Sequence, residues 1–260
     1  ALKLIYDNQE IIDKTPGVTI YNTKGIFTKH NLDFQLNKEF IKEEEVIQFL
    51  EESVDFKHKI IQKRELPNKK KLPPLPFTTS RLQQKASNIL HCSPKLTMML
   101  AQKLYEGGFI TYMRTDSSTY SKEFIEKSKT FISKKYGTEY VHENIDRHTL
   151  RKGKAQEAHE AIRPTDITKL SLPLTSDIKQ QKLYKLIWEN TIESCMSNAS
   201  YNLLQHVILA PFKYKYNYSH QKIIFPGWLI IKGYDKDNTI YSFLKKINTG
   251  TIIPYNKIYS

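Results

Sequence analysis

Ten residues, Pro67-Asn-Lys-Lys-Lys-Leu-Pro-Pro-Leu-Pro76, hold four prolines and three lysines and constrain the fold more than any other stretch of the chain. Proline lacks a backbone donor and fixes φ, so such a run suits neither a helix interior nor a central strand and reads as a boundary. What lies before it has strand character. Residues 17–36 alternate apolar and polar through Val18, Ile20, Ile26, Leu32, Phe34 and Leu36, predicting two or three strands with a turn near Lys24-Gly25. Residues 38–53 carry Phe40, Ile41, Ile47 and Leu50 near a 3.6 period, predicting a helix capped by Asn37. His58–Leu66 returns to strand.

After the boundary the pattern turns helical. Ser80 with Gln83 forms a capping box for a helix to about Leu90, and Ser93-Pro94 starts a second that stops at Gly107-Gly108. Phe109–Tyr112 then has strand character. Helix, turn, helix, strand is the order of a winged helix-turn-helix, which also occurs in proteins that bind no DNA. Ser121 opens a further amphipathic helix that ends at Gly137, residues 138–155 read as polar loop, and residues 156–163 read as a short helical piece stopped by Pro164. A long helix runs from Ser176 to about Ser197, and from Tyr201 strand character continues to the end, broken at Pro226-Gly227. The expected class is α+β: a helical, winged-helix-like domain over 72–198 inserted into a β-rich domain built from 6–71 and 199–260, with residues 1–5 closing a preceding helix.

Composition narrows the partners. Hydrophobic residues make up 39%, enough for a packed core, and no apolar run approaches the roughly 18 residues that span a bilayer, so a soluble protein with no membrane partner is expected. Cys92 and Cys195 alone make neither a zinc site nor a disulfide framework. The net charge of +13 is uneven: −5 over residues 1–56, +12 over 57–163 and +6 over 164–260. A basic middle attracts polyanions through counterion release, although a lysine-rich solvated surface gives the same composition.

Two short segments carry chemistry. In Glu106-Gly-Gly-Phe-Ile-Thr-Tyr-Met-Arg-Thr-Asp-Ser117, an extended chain puts Tyr112, Arg114 and Asp116 on one face. A guanidinium fork matches phosphate oxygens, and a phenol beside it can attack phosphorus; a strand tyrosine that merely packs gives the same spacing. In Ala155-Gln-Glu-Ala-His-Glu-Ala-Ile-Arg-Pro164, His159 and Arg163 share a helix face. Arg163 stands where a metalloprotease helix needs its second histidine, so the pair suits a phosphate rather than zinc, or is ordinary charge pairing at a helix end. Asp235-Lys-Asp237 reads as a solvated turn.

Phe109-Ile-Thr-Tyr-Met-Arg-Thr-Asp-Ser117 resembles the active-site tyrosine motif of type IA DNA topoisomerases, and Glu157-Ala-His-Glu-Ala-Ile-Arg-Pro-Thr165 resembles their second hallmark. Phe77–Ser87, Thr97–Glu106 and Leu183–Trp188 are similar to the segments between and after, in family order, and Met113 points to the bacterial topoisomerase I branch. The resemblance implies that the β-rich domain is an arch and that Tyr112 is the nucleophile of a 5′-phosphotyrosine intermediate. It implies that Arg114 holds the scissile phosphate, that His159 and Arg163 contact phosphates near it, and that Asp116 positions DNA. A phenol ionises near pH ~10, far below a sugar hydroxyl, so the aryl phosphate stays reactive to the returning 3′-hydroxyl and religation needs no ATP. The implied substrate is a single-stranded segment of negatively supercoiled DNA, whose supercoils a monomer at the bacterial nucleoid, in the cytoplasm, would relax. The family's magnesium is held by a Glu and an Asp-x-Asp that have no counterpart here, so the chain is expected to be a central piece of a longer protein that neither binds the metal nor is fully active alone. The competing reading is a non-enzymatic winged-helix DNA-binding module.

Overall fold

The computed structural model describes residues 2–145, 160–173 and 177–260. It is an α+β protein that divides into two compact units: Ala1–Pro67 with Asn202–Lys222 and Asp237–Ser260, and Asn68–Tyr201 with Ile223–Lys236.

The first unit contains helix α1 (Leu2–Lys14), strands β1 (Tyr21–Phe27) and β2 (Leu32–Phe40), and helix α2 (Glu43–Val54). Strand β3 (Ile60–Lys71) follows, and after the second unit's helices come β4 (Ala199–Leu209), β5 (Lys215–Phe225), α7 (Thr239–Lys246) and β6 (Tyr255–Tyr259), of which residues 68–71, 199–201 and 223–225 count with the second unit. The strands form one sheet in the order β3-β4-β5-β2-β1-β6, with the β1–β2, β1–β6 and β2–β5 pairs antiparallel. Alternation along β2 buries Leu32, Phe34 and Leu36 and leaves Asp33, Gln35 and Asn37 outside. Phe27, Phe34, Phe40, Phe49, Tyr216 and Leu244 make the core on the buried face, with Phe27 meeting Phe34 and Tyr216 edge-on at 5.3 and 5.1 Å. Burying each such side chain contributes roughly 1.5–3 kcal/mol.

The structure corrects several sequence expectations here. The β1–β2 turn lies at Thr28–Asn31, both with positive φ, and not at Lys24-Gly25. Gly25 pairs with Phe34 inside the sheet, where an added Cβ would lie 2.3 Å from the Phe27 ring. Phe40 belongs to β2 because its burial continues the period of two, and Asn37 accepts from the Lys215 amide at 2.8 Å instead of capping α2. Strand β3 runs through Pro67 into the lysines, which an edge strand tolerates because its outer donors pair with nothing in the sheet. The C-terminal stretch is not continuous strand: it contains α7, which buries Tyr241 and Leu244 three residues apart.

The second unit holds α3 (Thr79–Leu90), α4 (Pro94–Glu106), α5 (Lys122–Tyr136) and α6 (Ile178–Cys195). Ser93 and Ser121 cap α4 and α5 as their sequences predict, accepting from Leu96 N and Phe124 N. Helix α3 is capped by Thr78 and not by Ser80, and α6 by Asp177, whose carboxylate accepts from Lys179 N and Gln180 N. Helices α3, α4 and α5 pack on α6, whose Leu183, Ile187 and Ile192 are fully buried with Leu82, Leu104 and Ile125 around them. The order helix, turn, helix, extended segment runs through α3, α4 and the residues after α4, but single bridges (Ile110 to Pro164, Phe77 to Ile162) stand in place of a strand pair.

Candidate active site around Tyr112

Local sequence makes the segment after α4 extended. Gly108 turns the chain at φ 72°, a conformation that costs glycine little, and Phe109–Thr119 then runs between two other stretches of the second unit. On one side Thr111 N donates to Arg163 O at 2.9 Å, Thr111 Oγ1 donates to Ala161 O at 2.8 Å, and Thr165 N donates to Phe109 O at 3.0 Å. On the other, Thr79 N donates to Thr115 O at 2.8 Å, Thr79 Oγ1 donates to Met113 O at 2.8 Å, and Thr115 N donates to Thr79 Oγ1 at 2.9 Å. Ile162 N donates to Phe77 O at 2.9 Å and joins the two flanking stretches.

The side chains therefore alternate. Met113, Thr115 and Ser117 are buried, while Tyr112, Arg114 and Asp116 are exposed. Tyr112 keeps 37% of its surface accessible and packs edge-on against Tyr105, ring centroids 5.2 Å apart. The contrast with Tyr120 is instructive. Eight positions on, Tyr120 is fully buried with its hydroxyl 2.9 Å from Ser194 Oγ, and burial pushes its phenol far above the usual range. Of these two tyrosines only Tyr112 can meet a polymer substrate. Arg114 and Asp116 have no ion-pair or hydrogen-bond partner among the described residues, so a guanidinium beside Tyr112 is available to an anion.

Arg163 is arranged differently. Residues 160–165 are extended and not helical, because Ile162 and Pro164 bridge to Phe77 and Ile110. The Arg163 side chain is 12% exposed; its Nε donates to Glu160 Oε2 at 2.5 Å, and its guanidinium lies 4.1 Å from the centre of the Phe124 ring. What Arg163 gives the tyrosine segment directly is its backbone: its carbonyl accepts from Thr111 N, and its amide donates to Thr111 Oγ1 at 3.0 Å. His159, with Glu157, lies outside the described residues. Sequence reasoning missed Thr79 and Thr111, whose hydroxyls tie the segment down, and Arg81 and Gln83, which line a cavity of about 530 Å³ with Asp116. The only available signal for Thr79 was the Thr-Thr-Ser run after Phe77. A larger cleft of about 920 Å³ between α5 and residues 165–168 includes no residue of 109–119, so size does not mark the chemistry.

Among the described residues no three acids, histidines or cysteines come together as metal ligands; Asp237 spends its carboxylate on Thr239, and Asp116 stands alone. Nor is any described helix long and apolar enough to cross a membrane.

A family model described as DNA topoisomerase matches residues 1–259. DNA topoisomerase 1 of Helicobacter pylori (strain J99) is 36% identical over 266 residues, covering 95% of this chain and 36% of that protein. The Campylobacter jejuni protein of the same name is 35% identical over 262 residues, covering 94% and 37%. Full-length topoisomerase I from Thermotoga maritima superposes with a TM-score of 0.74 at 27% identity, covering all of this chain and 44% of that one. The chain thus spans about a third of the length of the curated relatives it matches.

Proposed function

The chain belongs to the DNA topoisomerase family, and from that premise we propose that it carries the strand-cleaving tyrosine of a type IA enzyme, Tyr112. The observation that carries this reading is the alternation of the threaded segment, which exposes Tyr112 and Arg114 side by side on a backbone fastened along both edges. In the proposed step Tyr112 Oη attacks the scissile phosphorus, the bond from phosphorus to the 3′ oxygen breaks, the phenol gives up its proton and the leaving oxygen gains one. A 5′-phosphotyrosine and a 3′-hydroxyl result, and attack by that hydroxyl reverses the step with no external energy. Arg114 neutralises charge on the phosphate in the pentacoordinate transition state, while Asp116 positions the strand. His159 and Arg163 handle flanking phosphates, and the β-rich unit serves as the arch.

The substrate is a single-stranded segment of negatively supercoiled DNA, bound by a monomer at the nucleoid, and the full-length enzyme relaxes it. Magnesium, in this reading, is held by a part of the full-length protein outside this chain. The described residues gather no carboxylate set that fits it, and no step here runs through it. Helices α3 and α4 with the extended segment are the winged-helix-like element that presents the tyrosine.

The test is Tyr112→Phe in the full-length protein. Cleavage and relaxation should vanish while DNA binding and thermal stability stay near wild type, because only the nucleophilic oxygen is removed. An adduct mapped to any other tyrosine overturns the assignment. A wild-type protein that binds DNA without ever forming an adduct supports a plain DNA-binding module instead.

A further inference from the structure

Asp116 opens onto the cavity of about 530 Å³ that the N-terminal turn of α3 forms with the tyrosine segment, lined by Thr78, Ser80, Arg81, Gln83, Asp116 and Ser118 among others. Its volume falls in the range of small-molecule sites and far exceeds what one water occupies. An Arg and an Asp lining one cavity would ordinarily close on each other. Here no ion pair forms between them among the described residues. Arg81 Nη1 donates to Pro76 O at 3.3 Å, which anchors the guanidinium at its own wall while its other side-chain donors meet no acceptor among the described residues. Asp116 and Gln83 likewise make no side-chain hydrogen bond there. Three polar side chains of opposite character thus line one space, Asp116 and Gln83 with no side-chain hydrogen bond among the described residues and Arg81 with only one.

Such a space does not suit a bare phosphate, because Asp116 repels it. It suits a flat neutral group with donors on one edge and acceptors on another. We propose that this cavity is a slot for an unpaired guanine of the strand that stays bonded to Tyr112, an inference that rests on the reading of Tyr112 as nucleophile. Guanine presents N1–H and the N2 amine side by side, matching the two oxygens of a carboxylate, and O6 and N7 side by side, matching a guanidinium fork. Thymine offers one donor between two carbonyls, which the Asp116 carboxylate opposes. Gln83 supplies either a donor or an acceptor to the remaining edge. The slot and Tyr112 belong to one segment, fixed by Thr79 on one side and by residues 161–165 on the other. A base seated there therefore moves with the phosphotyrosine bond, and the 5′ end held on Tyr112 keeps its register until the 3′-hydroxyl returns for religation.

The test uses the full-length protein and a library of single-stranded oligonucleotides with randomised positions, in two arms. The first sequences the DNA left covalently attached to the wild-type protein. The second sequences DNA bound without chemistry by the Tyr112→Phe protein. Guanine should be enriched at one position within the first few nucleotides 3′ of the break and should be enriched among bound sequences. Arg81→Met and Asp116→Asn should each reduce that preference by roughly 5- to 150-fold, the range of one bidentate base contact. Gln83→Leu gives a third, milder variant, and the wild-type preference itself needs no variant to fold. No guanine preference in either arm, a preference confined to bases 5′ of the break, or one that survives both Arg81→Met and Asp116→Asn overturns the slot. Failure of the wild-type protein to form any Tyr112 adduct overturns the nucleophile instead, and the binding arm still decides the slot.

Discussion

Thr79 and Thr115 hold each other by a reciprocal pair of hydrogen bonds, Thr79 N to Thr115 O at 2.8 Å and Thr115 N to Thr79 Oγ1 at 2.9 Å. The same Thr79 hydroxyl donates to Met113 O at 2.8 Å. One side chain therefore satisfies backbone groups on both sides of Arg114 and fixes where Arg114 and Tyr112 project. Thr79→Val keeps shape and removes that oxygen, leaving the amide of buried Thr115 without its partner at a cost of about 1–3 kcal/mol. Cleavage by the full-length protein should fall about 10-fold or more, since small misplacements of reacting groups are costly. Thr79→Ser should restore most of it. Equal cleavage by Thr79→Val and wild type, measured under conditions where both are folded, would show that the clamp does not govern the site.

Arg163 sets a second expectation, because its guanidinium is already engaged by Glu160 at 2.5 Å and stacked on Phe124. If Arg163 handles phosphate, it must exchange that carboxylate for DNA. Glu160→Gln weakens the internal hold and should tighten DNA binding and steepen the logarithmic salt dependence by about one unit, the contribution of one added phosphate contact. An unchanged affinity and slope would assign Arg163 a structural role, its backbone fastening Thr111 next to Tyr112.

The features legible in the sequence are those set by neighbours along the chain. Ser93-Pro94 and Ser121 mark helix starts because a cap needs only the next three residues. The period of two that exposes Tyr112, Arg114 and Asp116 is likewise local. What was not legible depends on partners far away. Residues 156–163 read as a short helical piece, but bridges to Phe77 and Ile110, more than fifty positions off, draw residues 160–164 out straight. Thr79 reaches Met113 across 34 positions, and nothing near it in sequence announces the contact. The α7 stretch falls in the expected strand region, and Ile240, Tyr241 and Phe243 do favour strands intrinsically, whereas burial of Tyr241 and Leu244 on one face decides for helix. Gly25 suggested a turn, yet it is small because the Phe27 ring passes close by.

Within the second unit, Lys232 Nζ forms an ion pair with Glu193 Oε1 at 2.9 Å, and the Glu193 side chain is only 3% exposed. Burial raises the Glu193 pKa above the ordinary carboxylate value, and Lys232 partly offsets that. Lys232→Met leaves the buried carboxylate with no cation that close and should destabilise the protein by about 2 kcal/mol at neutral pH, discounted from fully buried pairs because Lys232 is partly exposed. Glu193 is easier to protonate folded than unfolded, so the penalty should be absent below the unfolded carboxylate pKa and grow as pH rises through the elevated folded value. Urea unfolding of the two proteins from pH 4 to 8 reads the difference. A constant gap would mean that Lys232 acts by packing alone.

His206, on β4, is fully buried in the first unit, and desolvation first, then the charge of Lys63, lowers its pKa to about 4. An imidazole whose folded pKa lies below its unfolded value of about 6.5 stays neutral in the fold and takes up a proton on unfolding. The stability it permits is therefore present above pH ~6.5 and is lost as pH falls towards about 4, by up to about 3 kcal/mol at one pKa unit per 1.36 kcal/mol. His206→Leu has similar bulk and no titration, so it should remove this component and leave the carboxylate-driven part of the acid curve in place. The gap between wild-type and variant stability, measured by urea midpoints, should shift towards the variant as pH drops from 7 to 4. Lys63→Met should move the wild-type curve in the same direction by a smaller amount, since it relieves the second cause and leaves the first. Parallel curves for wild type and His206→Leu across that window would show that some other group carries the acid sensitivity of the β-rich unit.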